Sequence, residues 1–130
     1  MNRREISGQL ELVFDPAPEL TDELRAELTA HVLPDWQAMG ACRSTADDTW
    51  FPADTDTTGK TNAVDRCGFC PVRRSCLAYA LSTREEYGVW GGTTELQRNV
   101  LVRDLVDGAP VVDALDGATL LPEYLWRQAA

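Results

Sequence analysis

Apolar residues along this 130-residue chain recur at helical spacing in short stretches, and nowhere do they alternate as in a half-buried strand. Leu24, Leu28 and Val32 predict a helix over Asp22–Leu33, with Thr21 as N-cap, Asp22 and Glu23 in the first turn, and Pro34 as the stop. A second helix is predicted from Asp35, carrying Trp36, Met39 and Cys42. Residues 44–62 read as a loop, rich in Thr and Asp and broken by one apolar knot, Trp50-Phe51-Pro52. A third helix runs from Asn62 into Cys67, and a fourth from Pro71 through Cys76, Leu77 and Leu81. Thr94-Glu95-Leu96-Gln97 has the form of a capping box. Leu96, Val100, Leu101 and Leu105 then give an apolar face, closed by Gly108 and Pro110.

The pattern assigns no element to residues 111–130, whose apolar patch (Leu120, Leu121, Tyr124, Leu125, Trp126) is of the kind that usually ends up buried. Gly8, Pro16 and Pro18 break the first twenty residues. The expected organisation is therefore a flexible segment over 1–20, a small, mostly α domain over 21–107, and an acidic tail over 108–130. The length suits one modest core.

Charge adds a contrast between regions. Residues 1–41 carry three arginines against eight acids, and residues 93–130 three arginines against six. The middle, 42–92, balances six basic groups against seven acids, with Arg43, Arg66, Arg73 and Arg74 close to cysteines. Each of those arginines taken singly reads as solvated surface, yet cations beside a thiolate-bound metal would offset its negative charge. Neither flank offers the basic stripe of a free-standing nucleic-acid binder. Residues 5–19 hold no apolar run of signal-peptide length, and no stretch approaches a membrane span. A cytoplasmic chain without a membrane partner is expected.

In that compartment clustered thiols bind metal or do redox chemistry more often than they form structural disulfides. Cys42, Cys67, Cys70 and Cys76 follow the spacing C-x24-C-x2-C-x5-C. Cys67-Gly68-Phe69-Cys70 brings two sulfurs towards one centre, the next helix adds Cys76, and Cys42 must come from across the loop. Four thiolates suit tetrahedral zinc or an iron–sulfur cluster. Paired C-x2-C knuckles would mark structural zinc, and only one pair is present here. Twelve residues past Cys76 stands Gly88-Val89-Trp90-Gly91-Gly92. Its glycines permit positive φ on both sides of Trp90, which leaves two readings: an indole presented outward, or a buried ring closing the core.

The run Cys67-x2-Cys70-Pro71-Val72-Arg73-x2-Cys76-Leu77-x-Tyr79-Ala80-Leu81, followed by Gly88-Val89-Trp90-Gly91-Gly92-Thr93-Thr94-Glu95, resembles the WhiB-like family of actinobacteria and their phages. The resemblance covers roughly residues 36–103. It implies a four-helix domain organised around one [4Fe–4S] cluster held by Cys42, Cys67, Cys70 and Cys76. A cluster sensitive to oxygen or nitric oxide is implied too, as is regulation of transcription through the C-terminal domain of the primary sigma factor of RNA polymerase. The partner surface it implies includes Trp90 with Gly88, Val89, Gly91 and Gly92, and the aromatic pair Trp50 and Phe51. Because such ligation would tie Cys42 to the Cys67–Cys76 segment, cluster loss should loosen the fold and switch the interface off.

One departure from the family concerns the tail. Arg98 and Arg103 are followed by Asp104, Asp107, Asp113, Asp116 and Glu123 with no Arg-Gly-Arg hook, so promoter DNA should be met only weakly or indirectly. Two rivals use the same cysteines: a disulfide reductase exchanging thiols at Cys67 and Cys70, and a zinc-held adaptor. His31 reads as an ordinary helix residue, and the acids at 47–48 and 54–56 lack calcium-loop spacing. No acid–base pair, nucleophile triad or phosphate-binding loop is present, so neither an enzyme nor a small-molecule substrate is expected.

Overall fold

The computed structural model describes residues 18–40, 42, 47–53 and 55–120. Within them are five helices: α1 (Asp22–Thr29), α2 (Thr57–Cys67), α3 (Arg73–Thr83), α4 (Glu95–Val106) and α5 (Val111–Leu120). Single 3-10 turns cover Trp36–Met39 and Asp47–Trp50. No strand occurs among the described residues; one isolated bridge pairs Trp90 with Thr93. The mostly α class is as expected. The segment 1–17, Arg43 and the end of the apolar patch from Leu121 onward lie outside the described residues.

Helix α3 is the hub. Its buried Leu77, Ala78 and Leu81 pack with Leu28 of α1, Leu101, Val102 and Leu105 of α4, and Val111, Ala114 and Leu115 of α5. The tail expected from residue 108 thus opens with a helix inside the core. Arg74 of α3 pairs with Asp116 of α5, and Arg25 Nε of α1 donates to the Ser82 carbonyl at 3.0 Å. A second, smaller cluster joins Trp50, Ala63, Val64, Cys67 and Val89.

Four helix limits differ from expectation, the smallest difference being the helix predicted from Pro71, which begins at Arg73 with Val72 as its N-cap. The first helix stops four residues early, because Leu33 turns its N–H to Ser75 Oγ of α3 at 3.1 Å. Pro34 also biases Leu33 away from helical backbone. Its N-cap is as read: Thr21 Oγ1 accepts from Leu24 N at 3.1 Å. The predicted second helix is one 3-10 turn, trapped between Asp35 at φ 56° and the extended Gly40, and Cys42 lies beyond it. Helix α2 begins at Thr57, five residues before the predicted start, since the Asp56 carboxylate accepts from Gly59 N at 2.8 Å.

Helix α4 carries the predicted capping box, with Gln97 Oε1 accepting from Thr94 N at 2.9 Å and Thr94 Oγ1 from Gln97 N at 3.3 Å. Its end is a Schellman turn on Gly108 at φ 112°, where Gly108 N donates to Leu105 O and Ala109 N to Asp104 O. The face it buries is Gln97, Arg98, Leu101, Val102 and Leu105, one position round from the predicted stripe.

Candidate functional site

The four cysteines line one cavity of about 340 Å³. Helix α2 ends on Cys67, which is buried, and Cys70 sits in the following turn, its N–H on the Cys67 carbonyl at 3.0 Å. Cys76 comes from the first turns of α3, while Cys42 enters from the far side and is exposed. The rest of the wall is mostly apolar, with Trp36, Trp50, Val72 and Val89 beside Gln37, and among the described residues Arg73 is the one cation on it. Among the described residues no carboxylate or imidazole contributes. Among the described residues no three Cys, His, Asp or Glu converge in the manner of a single-ion site. Soft sulfur donors around an apolar cavity form a set that an iron–sulfur cluster fits.

Burial dominates the electrostatics of these thiols. It pushes Cys67 up to about 11, against a hydrogen bond from the Gly92 backbone and the nearby Arg73 guanidinium. Cys76 is pushed up to about 12, again by burial first and by Cys67 second, with a backbone hydrogen bond from Gly91 opposing. Both are neutral thiols at physiological pH, so binding a metal or cluster here must displace protons. A thiol-exchange nucleophile needs the opposite shift. Phe69, between Cys67 and Cys70, is 89% exposed and offers no stabilising group.

The tryptophan turn forms part of the same wall. Gly88, Gly91 and Gly92 have φ of 87°, 56° and 78°, in the left-handed region. Space is as restrictive as dihedral angle: a Cβ on Gly91 would stand 2.6 Å from the Leu77 backbone, and one on Gly88 2.6 Å from the Phe51 ring. The turn closes with Trp90 N on Thr93 O at 3.0 Å and Thr93 N on Trp90 O at 2.9 Å. Trp90 is neither fully outward nor fully buried. Its ring stacks on Tyr79 with centroids 6.0 Å apart, Tyr79 meets Trp36 at 5.3 Å, and the indole N–H donates to Tyr87 O at 2.8 Å.

Trp50 and Phe51 join this turn, since Val89 N donates to Trp50 O at 2.7 Å. Phe51 is 56% exposed, whereas Trp50 is buried in the smaller cluster, and its Nε1 is a buried donor without a partner among the described residues. The four cysteines, Trp50, Phe51, Val89, Trp90 and Gly91 therefore line one cavity, and Gly88 and Gly92 flank it within the same turn.

Sequence reasoning missed two arginines. Arg98, read as a tail cation, is 3% exposed and donates to Glu85 O, Thr93 O, Thr93 Oγ1 and Gly88 O at 2.7–3.3 Å, bracing the tryptophan turn from behind. Its burial holds the guanidinium down to about 10. The available signal was its register: Arg98, Leu101, Val102 and Leu105 share one face. Arg73, read as solvated surface, is half-buried, and its Nε donates to Gly91 O at 3.3 Å.

Comparison with known proteins matches the same segment. A family model described as transcription factor WhiB covers residues 36–101. The chain is 40% identical over 73 residues to the transcriptional regulator WhiD of Streptomyces coelicolor, spanning 52% of this chain and 65% of that protein. It is 32% identical over 89 residues to the transcriptional regulator WhiB2 of Mycobacterium tuberculosis, spanning 68% of this chain and 98% of that one. The redox- and pH-responsive transcriptional regulator WhiB3 of the same organism is 36% identical over 73 residues, 52% of this chain and 72% of its own. With its cysteine pocket and glycine-bounded tryptophan turn inside the matched segment, the chain belongs to the WhiB family of transcription factors.

Proposed function

We propose that this chain is a cytoplasmic, non-enzymatic regulator of transcription that holds a [4Fe–4S] cluster on Cys42, Cys67, Cys70 and Cys76. It acts by docking on the C-terminal domain of the primary sigma factor, and the cluster is the redox- or nitric-oxide-responsive element that governs docking. One observation carries this reading: the four thiols and the tryptophan turn wall the same cavity, so whatever fills the cavity bears on the turn. Phe51, Trp90 and their glycines supply an aromatic surface beside it, of the composition that anchors protein interfaces.

The WhiB3 relative is described as redox-responsive, which accords with a sensing role. Alkaline Cys67 and Cys76 weigh against a disulfide reductase, although Cys70 is the less buried of the C-x2-C pair. Burial of Arg98 removes one of the two cations of α4 from any DNA-facing surface, in keeping with indirect promoter contact. Among the described residues no helix is long and apolar enough to cross a membrane.

The test is an anaerobic pull-down of the brown cluster-loaded protein by the sigma domain, beside a cluster-free Cys42→Ser control. Retention of the loaded form alone is expected; equal retention of both would sink the switch, and retention of neither the sigma partner. Trp90→Ala, with its cluster absorption intact, should bind about thirtyfold more weakly, the scale of a hot-spot residue worth about 2 kcal/mol.

A further inference from the structure

Arg73 spans the ligand segment and the tryptophan turn, beside the Cys67 and Cys76 sulfurs that the Gly92 and Gly91 backbone meets. It opens α3 directly after the Cys67–Cys70 turn, and its own N–H is bonded to the Cys70 carbonyl at 3.3 Å. The guanidinium reaches back over that turn, with Nη1 3.9 Å from where a Cβ on Gly68 would lie. On its other side Nε donates to Gly91 O, and the guanidinium fills the space a Gly92 side chain would need, 2.4–2.6 Å from that Cβ position. Cys67 and Cys70 are the anionic groups it attracts when their thiols are ionised.

We propose that Arg73 is a positioning residue that couples the occupied cysteine pocket to Trp90, holding Gly91 and Gly92 in the geometry the partner meets. The effect on partner affinity rests on the sigma-docking reading; the hold on the turn does not. A pocket filled by a thiolate-bound cluster draws the guanidinium against the Cys67–Cys70 segment, and the glycine pair is set by where that planar group stops. Lysine keeps the charge but loses the fork that meets Gly91 O and fills the face of Gly92. Glutamine loses the charge as well.

The experiment compares wild type, Arg73→Gln and Arg73→Lys, each cluster-loaded under anaerobic conditions. Three quantities are read: backbone amide exchange over residues 88–92, the cluster's reduction potential by dithionite titration, and affinity for the sigma C-terminal domain. Both variants should exchange at least tenfold faster in the turn and bind sigma at least fivefold more weakly. The potential should fall in Arg73→Gln and stay near wild type in Arg73→Lys, a split that a merely structural role would not produce. Wild-type exchange in both variants overturns the coupling. A wild-type protein with no sigma affinity would sink the docking reading alone, with exchange and potential still deciding the role of Arg73. If Arg73→Gln fails to load a cluster, the exchange rate of Arg73→Lys decides.

Discussion

At the scale of single residues, the four cysteines are chemically unequal before anything binds them. Cys42 is exposed, whereas Cys67 is buried and Cys76 half-buried, and these two hold their protons up to about 11 and 12. Iodoacetamide labelling of the cluster-free protein at neutral pH, followed by mass spectrometry of the peptides, should therefore modify Cys42 first and Cys67 and Cys76 last. Rapid labelling of Cys67 would contradict the burial and revive thiol exchange at the C-x2-C pair. Inequality also gives loading a direction. For the proposed cluster, the exposed Cys42 would be the accessible thiol, and Cys67 and Cys76 would have to lose protons as it binds.

At the scale of elements, α4 is the brace behind the tryptophan turn, and its start is fixed by Thr94 and Gln97. Thr94→Ala should cost about 1 kcal/mol, seen as a lower urea midpoint with unchanged slope. This capping box was legible because it is written in four consecutive positions. So was the N-cap at Thr21, and so was the gathering of the four cysteines around one cavity, which their spacing suggests without tertiary context. Other elements were hidden by what their residues do across the fold. Thr57-Thr58-Gly59 are poor helix formers, and α2 starts there only because Asp56 caps it. Leu33 leaves the first helix for a serine 42 positions away. Helix α5 took its partners from the preceding α4 and from α1 and α3, which lie far from it in the chain. Arg73 and Arg98 looked like surface charge because a sequence shows that an arginine is present and not which carbonyls it will meet.

For the whole molecule, the raised thiols make stability depend on pH in a defined sense. A folded-state thiol held above its ordinary value of 9.0 favours the fold while it stays protonated. The cluster-free protein should thus keep its stability up to about pH 9 and lose it progressively as pH rises towards 11 and 12, read from urea midpoints across that range. Stability rising over the same interval would mean that the thiols are not buried as described.

The two packed clusters also divide the labour of the chain. The larger, built from Leu28, Leu77, Leu81, Leu105 and Leu115, contains no cysteine. The smaller includes Cys67 together with Trp50 and Val89, which carry the two sides of the aromatic surface. Damage to the proposed cofactor would therefore fall on the small cluster, while the leucine frame rests on hydrophobic burial with the Arg74–Asp116 pair and the Arg25–Ser82 hydrogen bond. Such a molecule behaves like a fuse in a fixed holder. If the proposed iron–sulfur cluster is lost, what should give way is the small group around Cys67, with the leucine frame left in place.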